Sequence, residues 1–291
     1  VTGAPRLRGT ERRETSRRRT FAPRRRGATC PLRSGDSRTD LAHTPDRYNA
    51  RVNFPVRAIT LDLDDTLWPF PPIGARIERK LHAWMEMHSP QTAQRFPIEA
   101  MRALRECVVA EYPQHAHDLS LLRRLTIERA LRDSGGDVAL AEAAYAIFFT
   151  ERTRVDFYPD APDALRRIAA RVPVAAVSNG NADLAAIGID AHFRFQLGAR
   201  EHGAAKPAAS IFHAACERLG VPPREVLHVG DDIGMDVVGA ARAGLRTCWL
   251  NREGATWPHA DVHPDLHVTS LTALADWLDA QSSNAQEEAA A

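Results

Sequence analysis

Asp62 and Asp64 stand two residues apart at the end of the apolar run Ala58-Ile59-Thr60-Leu61. Carboxylates this close raise each other's pKa unless a cation or hydrogen bonds offset the repulsion. A solvated strand end is the plainer alternative, and the rest of the chain argues against it. Ser178-Asn179-Gly180-Asn181 follows the run Val174-Ala175-Ala176-Val177, and Lys206-Pro207 opens a helical pattern. Gly230-Asp231-Asp232-Ile233-Gly234-Met235-Asp236 follows Val226-Leu227-His228-Val229. The acids and the hydroxyl thus each come where a short, buried strand should end. In an open parallel sheet, ligands bind beyond those ends.

The elements that must position these groups can be read from periodicity. A first strand is expected near 56–62, and Pro69, Pro71 and Pro72 mark an exit from the core. From Ile73 to about Arg154 apolar residues recur at three and four, as in Ile77, Leu81, Trp84 and Met85, which predicts four helices. From Pro159 onward strands and helices alternate. Helices are expected over 160–171, 207–219 and 235–243, with strands over 173–178, 225–229 and 245–250. Alternation of this kind predicts an α/β doubly wound parallel sheet with helices on both faces. A last helix over 271–280 should end the fold. The expected organisation is an arginine-rich disordered tail over 1–53, a core over 54–70 and 155–280, a helical cap over 71–154, and a disordered tail over 281–291.

The order and spacing of the four groups resemble the haloacid-dehalogenase-like (HAD) hydrolases. Their motifs are D-x-D-x-T/V, a strand-end Ser or Thr, a Lys, and G-D-x-x-x-D or a close variant. The resemblance covers roughly residues 54–280 and implies the Rossmann-like core with a cap inserted directly after the first motif. Ala58 to Leu67, Ser178 to Asn181 and Leu227 to Asp232 are most similar to the bacterial flavin mononucleotide phosphatases. Those enzymes also dephosphorylate the ribityl-aminouracil phosphate of riboflavin synthesis.

That resemblance implies a chemistry. Phosphate monoesters hydrolyse extremely slowly in water, and a carboxylate can divide the reaction by taking the phosphoryl group itself. Asp62 is placed for this, and Asp64 would serve as general acid and base. An acid at this second position also separates phosphatases from the dehalogenases of the superfamily, which lack it. Asp62, Asp231 and a phosphate dianion repel one another, each like-charge pair at ~4 Å costing on the order of 4 kcal/mol at an effective dielectric near 20. Mg²⁺ is the expected remedy, held by the Asp62 and Asp231 side chains and the Asp64 backbone carbonyl. Asp236 should stand behind the metal ligands. Asp232 either contacts the metal through water or caps the following helix, and Asp65 and Thr66 hold the turn.

Lys206 is one of two lysines beside thirty-six arginines. A compact ammonium fits between Asp62 and a phosphate oxygen where a planar guanidinium is too broad. Ser178 offers a hydroxyl, and the Asn179 and Gly180 amides can cradle phosphate oxygens. The twelve histidines show no zinc spacing. Trp68, Trp84, Tyr145, Phe148 and Phe149 are read as core of the cap before they are read as a heterocycle pocket, with Trp84 the first candidate to face the cleft.

Residues 1–57 carry fifteen arginines, no lysine and five acids, a net of +10, which leaves −9 on the remainder. The preferred reading of this segment is translation from an upstream or alternative start. A nonspecific polyanion-binding tail comes second, and targeting last. No apolar run approaches a membrane span. The four cysteines form no C-x-x-C pair, so a reducing cytoplasm is the expected compartment. The expected function is a Mg²⁺-dependent phosphatase acting on a small phosphate ester, flavin mononucleotide or the ribityl-aminouracil phosphate. Another HAD phosphatase or mutase acting on a sugar phosphate or phosphoglycolate, and a non-catalytic nucleic-acid-binding regulator, are the rivals. Oligomeric state is left open.

Overall fold

All four residues of β1 (Ala58–Leu61) are buried, as befits a strand covered on both faces. The computed structural model describes residues 54–290, so the expected tail over 1–53 lies outside the described residues. After β1 come α1 (Phe70–His88), α2 (Pro90–Arg95), α3 (Ile98–Glu111), α4 (Leu119–Asp133) and α5 (Ala141–Arg152). Then α6 (Ala161–Arg171) leads to β2 (Val174–Ser178), α7 (Leu184–Ile187), β3 (Gln196–Gly198), α8 (Ala199–His202) and α9 (Ala209–Leu219). The chain closes with β4 (Val226–Gly230), α10 (Gly239–Arg242), β5 (Arg246–Leu250), β6 (Leu266–Val268) and α11 (Leu271–Ala290).

The strands form one parallel sheet in the order β3-β2-β1-β4-β5-β6. The order reverses at β1, which pairs with β2 on one side and β4 on the other. That reversal opens a crevice between the ends of β1 and β4. Alternate residues serve opposite faces. Ile59 and Leu61 join a cluster with Leu165, Ile168, Leu274 and Leu278 of α6 and α11. Ala58 and Val177 turn to Ile211, Phe212 and Ala240 of α9 and α10. Full burial of Phe212 stabilises by about 1.5–3 kcal/mol.

Several expectations need correction. Pro71 and Pro72 do not break the chain; they sit in the first turn of α1, where backbone N–H groups have no intrahelical partner. Pro90 opens a separate short helix, so the insert between β1 and α6 holds five α-helices rather than four. The helix expected over 235–243 divides into a wide π-helical turn, Ile233–Val238, followed by α10. The helix expected to stop at residue 280 runs to Ala290, which replaces most of the expected C-terminal tail over 281–291. No Gly or Pro interrupts that stretch, and its Ala, Gln and Glu favour helix.

Within the helical insert, Ile73, Ile77, Leu81 and Met85 recur at every fourth residue on the buried face of α1. They share a cluster with Ala144, Tyr145 and Phe148 of α5. This packing brings the C-terminal end of α5 back toward the sheet, which matters for the site. Among the described residues no helix is long and apolar enough to cross a membrane.

Candidate active site

The residues expected to act together do meet. Asp62, Asp64, Ser178, Asn179, Lys206, Asp231, Asp232 and Asp236 line one cavity of about 180 Å³ at the crevice. They arrive from four segments, the ends of β1, β2 and β4 and the loop before α9, which is why they are scattered in sequence.

The turn after β1 is fixed by Asp65, whose φ of 57° lies in the left-handed region that Asp tolerates better than most residues. Its Oδ1 accepts from the Phe70 amide at 2.9 Å, and its own amide donates to the Trp68 carbonyl at 2.7 Å. The fold-back places Trp68 Nε1 2.8 Å from Asp64 Oδ1. Thr66 Oγ1 donates to Asp231 Oδ1 at 3.1 Å, tying the turn to the end of β4. Asp65 and Thr66 therefore hold the turn as expected.

Lys206 is buried, and its Nζ donates to Asp62 Oδ1 and to Asp236 Oδ1, both at 2.6 Å. Two contacts hold its loop. The Asn179 side chain donates to the Lys206 carbonyl at 2.9 Å and accepts from its amide at 2.7 Å. Gly239 lets α10 approach, since a Cβ there would stand 2.8 Å from Pro207 Cβ. The Asn179 side chain is thus committed to positioning Lys206, while its backbone amide is the group expected to meet phosphate. Ser178 Oγ accepts from the Gly180 amide at 3.0 Å, so its hydroxyl proton remains available.

Asp232 caps the π-helical turn, its Oδ1 accepting from the Gly234 and Met235 amides at 2.8 and 2.7 Å. Of the two readings left open for it, capping is the one the geometry displays. Asp236 accepts from Lys206, from the Asp232 amide at 3.0 Å and from His228 Nε2 at 3.1 Å. The carboxylate needs a donor, so Nε2 carries the ring proton and Nδ1 accepts from Thr60 Oγ1 at 2.8 Å. Burial holds the His228 pKa below the usual histidine value, in keeping with a neutral ring.

The electrostatics are unbalanced. Burial, with Asp236 and Asp231 nearby, pushes Asp62 up to about 8 despite Lys206. Burial and Asp236 push Asp231 up to about 7. Asp236 moves the other way: burial would raise it, but Lys206 and His228 outweigh that. Asp62 and Asp236 share Lys206 at equal distance, and the extra donors on Asp236 decide between them. Asp62, Asp231 and Asp236 bring carboxylate oxygens within 4.8 Å of one another, the one group among the described residues that could hold a metal ion. Asp236 is already occupied by three donors, so Asp62 and Asp231 are the carboxylates with capacity to spare.

Three participants had escaped sequence reasoning. Arg152, 1% exposed at the last turn of α5, donates from Nη2 to Asp64 Oδ2 at 2.6 Å and from Nε to Asn181 Oδ1 at 3.1 Å. One arginine among thirty-six carries no signal. His228 did carry one, a polar residue inside the buried run of β4. Trp68 was read as core; it is fully buried, yet it also donates to Asp64. Trp84 stacks on His88 at 4.4 Å and lines neither cavity beside Asp64, whereas Phe70 and Phe148 line one and Tyr145 and Phe149 the other.

A family model described as haloacid dehalogenase-like hydrolase matches residues 56–244. The chain is 35% identical over 229 residues to the 5-amino-6-(5-phospho-D-ribitylamino)uracil phosphatase YigB of Escherichia coli, covering 74% of this chain and 96% of that protein. It is 32% identical over 212 residues to a glyceraldehyde 3-phosphate phosphatase of Methanopyrus kandleri, covering 68% and 84%. The crystal structure of a 2-haloacid dehalogenase from Pseudomonas syringae pv. Tomato superposes with a TM-score of 0.72 at 32% identity, covering 77% of this chain and 98% of that one.

Proposed function

Because the chain belongs to the haloacid dehalogenase-like hydrolase family and is a phosphatase, we propose that it cleaves phosphate monoesters with Mg²⁺ through an aspartyl phosphate on Asp62. The observation that carries this reading is the Lys206 ammonium 2.6 Å from Asp62 Oδ1 at a strand end, with Asp64 two residues on. An Asp62 oxygen attacks phosphorus, and the ester oxygen leaves with a proton from Asp64. Water then attacks the phosphoryl group, Asp64 takes the water's proton, and Asp62 is released with inorganic phosphate. Lys206 fixes the Asp62 carboxylate, and the Ser178 hydroxyl donates to a phosphate oxygen.

The donor set fits Mg²⁺, being oxygen only. Asp62 and Asp231 would hold the ion with the Asp64 carbonyl, and Asp236 would support them from behind. When bound, the ion neutralises charge on the phosphoryl group. Asp64 marks the chemistry as phosphoryl transfer, since carbon–halogen hydrolysis has no alkoxide leaving group to protonate.

The preferred substrates are 5-amino-6-(5-phospho-D-ribitylamino)uracil and flavin mononucleotide, a choice supported by the Escherichia coli relative and by the motif resemblance. A cytoplasmic setting is in keeping with buried, unpaired Cys216 and Cys248. The test is turnover of a panel with and without Mg²⁺: these two esters, a sugar phosphate, phosphoglycolate and a 2-haloacid. Mg²⁺-dependent release of phosphate, fastest from the first two, is expected. Halide release without phosphatase activity would overturn the reading.

A further inference from the structure

A second cavity of about 340 Å³ lies between the helical insert and the loop after β2, and it shares with the active site Arg152, the hydrogen-bond partner of Asp64. Its apolar walls include Phe70 and Ile77 of α1 and Phe148 of α5. Its inner end is Arg152, whose Nη2 and Nε are bound to Asp64 and Asn181 while Nη1 is buried without a partner. A buried donor left unpaired is costly, and a ligand acceptor would satisfy it. Arg105 and Arg123 also line it, neither with a hydrogen-bonded or ion-paired partner among the described residues. Arg123 lies over the Phe148 ring at 4.9 Å, and burial with the neighbouring Arg105 lowers its pKa to about 10. Glu78, the acid on this wall, is held by Arg102, whose Nε donates to it at 2.9 Å. The cavity therefore combines apolar walls with an excess of positive charge, Arg105, Arg123 and Arg152 against the single acid Glu78, whose charge acts on Arg105 and Arg123 as well as on Arg102.

We infer that this cavity receives the leaving group, and that Arg105, Arg123 and Arg152 select esters whose leaving group carries carbonyl or carboxylate oxygens. The inference rests on the phosphatase reading and specifies its substrate class. Arg152 lines this cavity and holds Asp64, so it stands where a leaving group that extends from phosphate into the cavity would meet it. The neighbouring cavity of about 350 Å³ is the weaker candidate, because its arginine, Arg200, already faces Asp118 at 3.6 Å. Guanidinium forks bind planar oxygen pairs well, and an unpaired polar site rejects analogues that cannot fill it.

The test uses three aryl phosphates of similar shape on the full chain with Mg²⁺: 4-methylphenyl, 4-carbamoylphenyl and 4-carboxyphenyl phosphate. The wild type should show a KM roughly tenfold lower for one or both oxygen-bearing esters than for the methyl ester. A gain confined to the carboxy ester assigns the site to anions, and a shared gain assigns it to carbonyls. Arg105→Gln and Arg123→Gln should erase most of that advantage while the methyl ester's KM stays within about twofold. Equal KM for all three esters in the wild type would overturn the inference alone, whether or not the variants fold, and so would a parallel rise across all three in folded variants. No Mg²⁺-dependent hydrolysis of any of them would overturn the phosphatase reading and this inference with it.

Discussion

Arg152 and Asp64 come from helices and strands eighty-eight residues apart, yet their side chains meet at 2.6 Å, with the arginine almost wholly buried. The pair joins the helical insert directly to the proposed acid–base. Trp68 takes the other Asp64 oxygen, so the carboxylate is fixed from both sides.

Arg152→Met should therefore lower kcat for every ester by roughly ten- to a hundredfold, the usual effect of losing a group that orients a reacting one. KM for 4-methylphenyl phosphate should change little, and the melting temperature should fall modestly, because the half-buried Asp64 carboxylate loses one of its two partners and keeps Trp68. Trp68→Phe removes one donor and keeps the ring, so its effect on kcat should be smaller. Steady-state kinetics beside a thermal melt check both. Unchanged kcat in a folded Arg152→Met protein would remove Arg152 from the positioning role.

Asp62→Asn should abolish turnover while the protein stays folded. No other carboxylate occupies its place at the end of β1 beside Lys206. Rapid quenching should trap a hydroxylamine-labile phosphoryl group on the wild type and none on the variant. Appreciable residual turnover would exclude Asp62 as the nucleophile.

Gly180→Ala tests how tightly the site is packed. A Cβ there would lie 2.6 Å from Asp64 Oδ2 and 3.0 Å from Arg152 Nη2. The added methyl must displace that pair, so kcat should fall at least tenfold with circular dichroism unchanged. Wild-type kinetics would show that the pair can shift freely.

Asp232 separates capping from metal contact. Asp232→Asn keeps an acceptor for the Gly234 and Met235 amides, whereas Asp232→Ala does not. The alanine variant should lose about 0.5–2 kcal/mol of stability, and the asparagine variant much less. The Mg²⁺ concentration for half-maximal activity should stay near wild type in both. A large rise in it for Asp232→Asn would return Asp232 to the metal's surroundings.

The sequence alone determined four of the six strands and the residues at their ends, because a buried strand is a local apolar run and the following acid is a local anomaly. The strands β3 and β6, three residues each, are too short to show such a run. Asp62, Asp64, Ser178 and Asp231 were legible as polar groups at strand ends, Lys206 as one of two lysines beside thirty-six arginines, and the helical insert from its apolar period. Prolines misled at 71 and 72, since the same residue that breaks a helix interior suits its first turn. What only the tertiary structure decided was which of many chemically ordinary residues reach the site. Arg152 is one arginine among thirty-six, and it matters because α5 packs on α1 and aims its last turn at Asp64. The Asn179 side chain, to which the sequence assigned no contact, clamps Lys206, and Trp84, the first aromatic considered for the cleft, lines neither of the two cavities next to the site. Contacts of this kind depend on how whole helices dock, a property of summed side-chain packing that no window of sequence encodes.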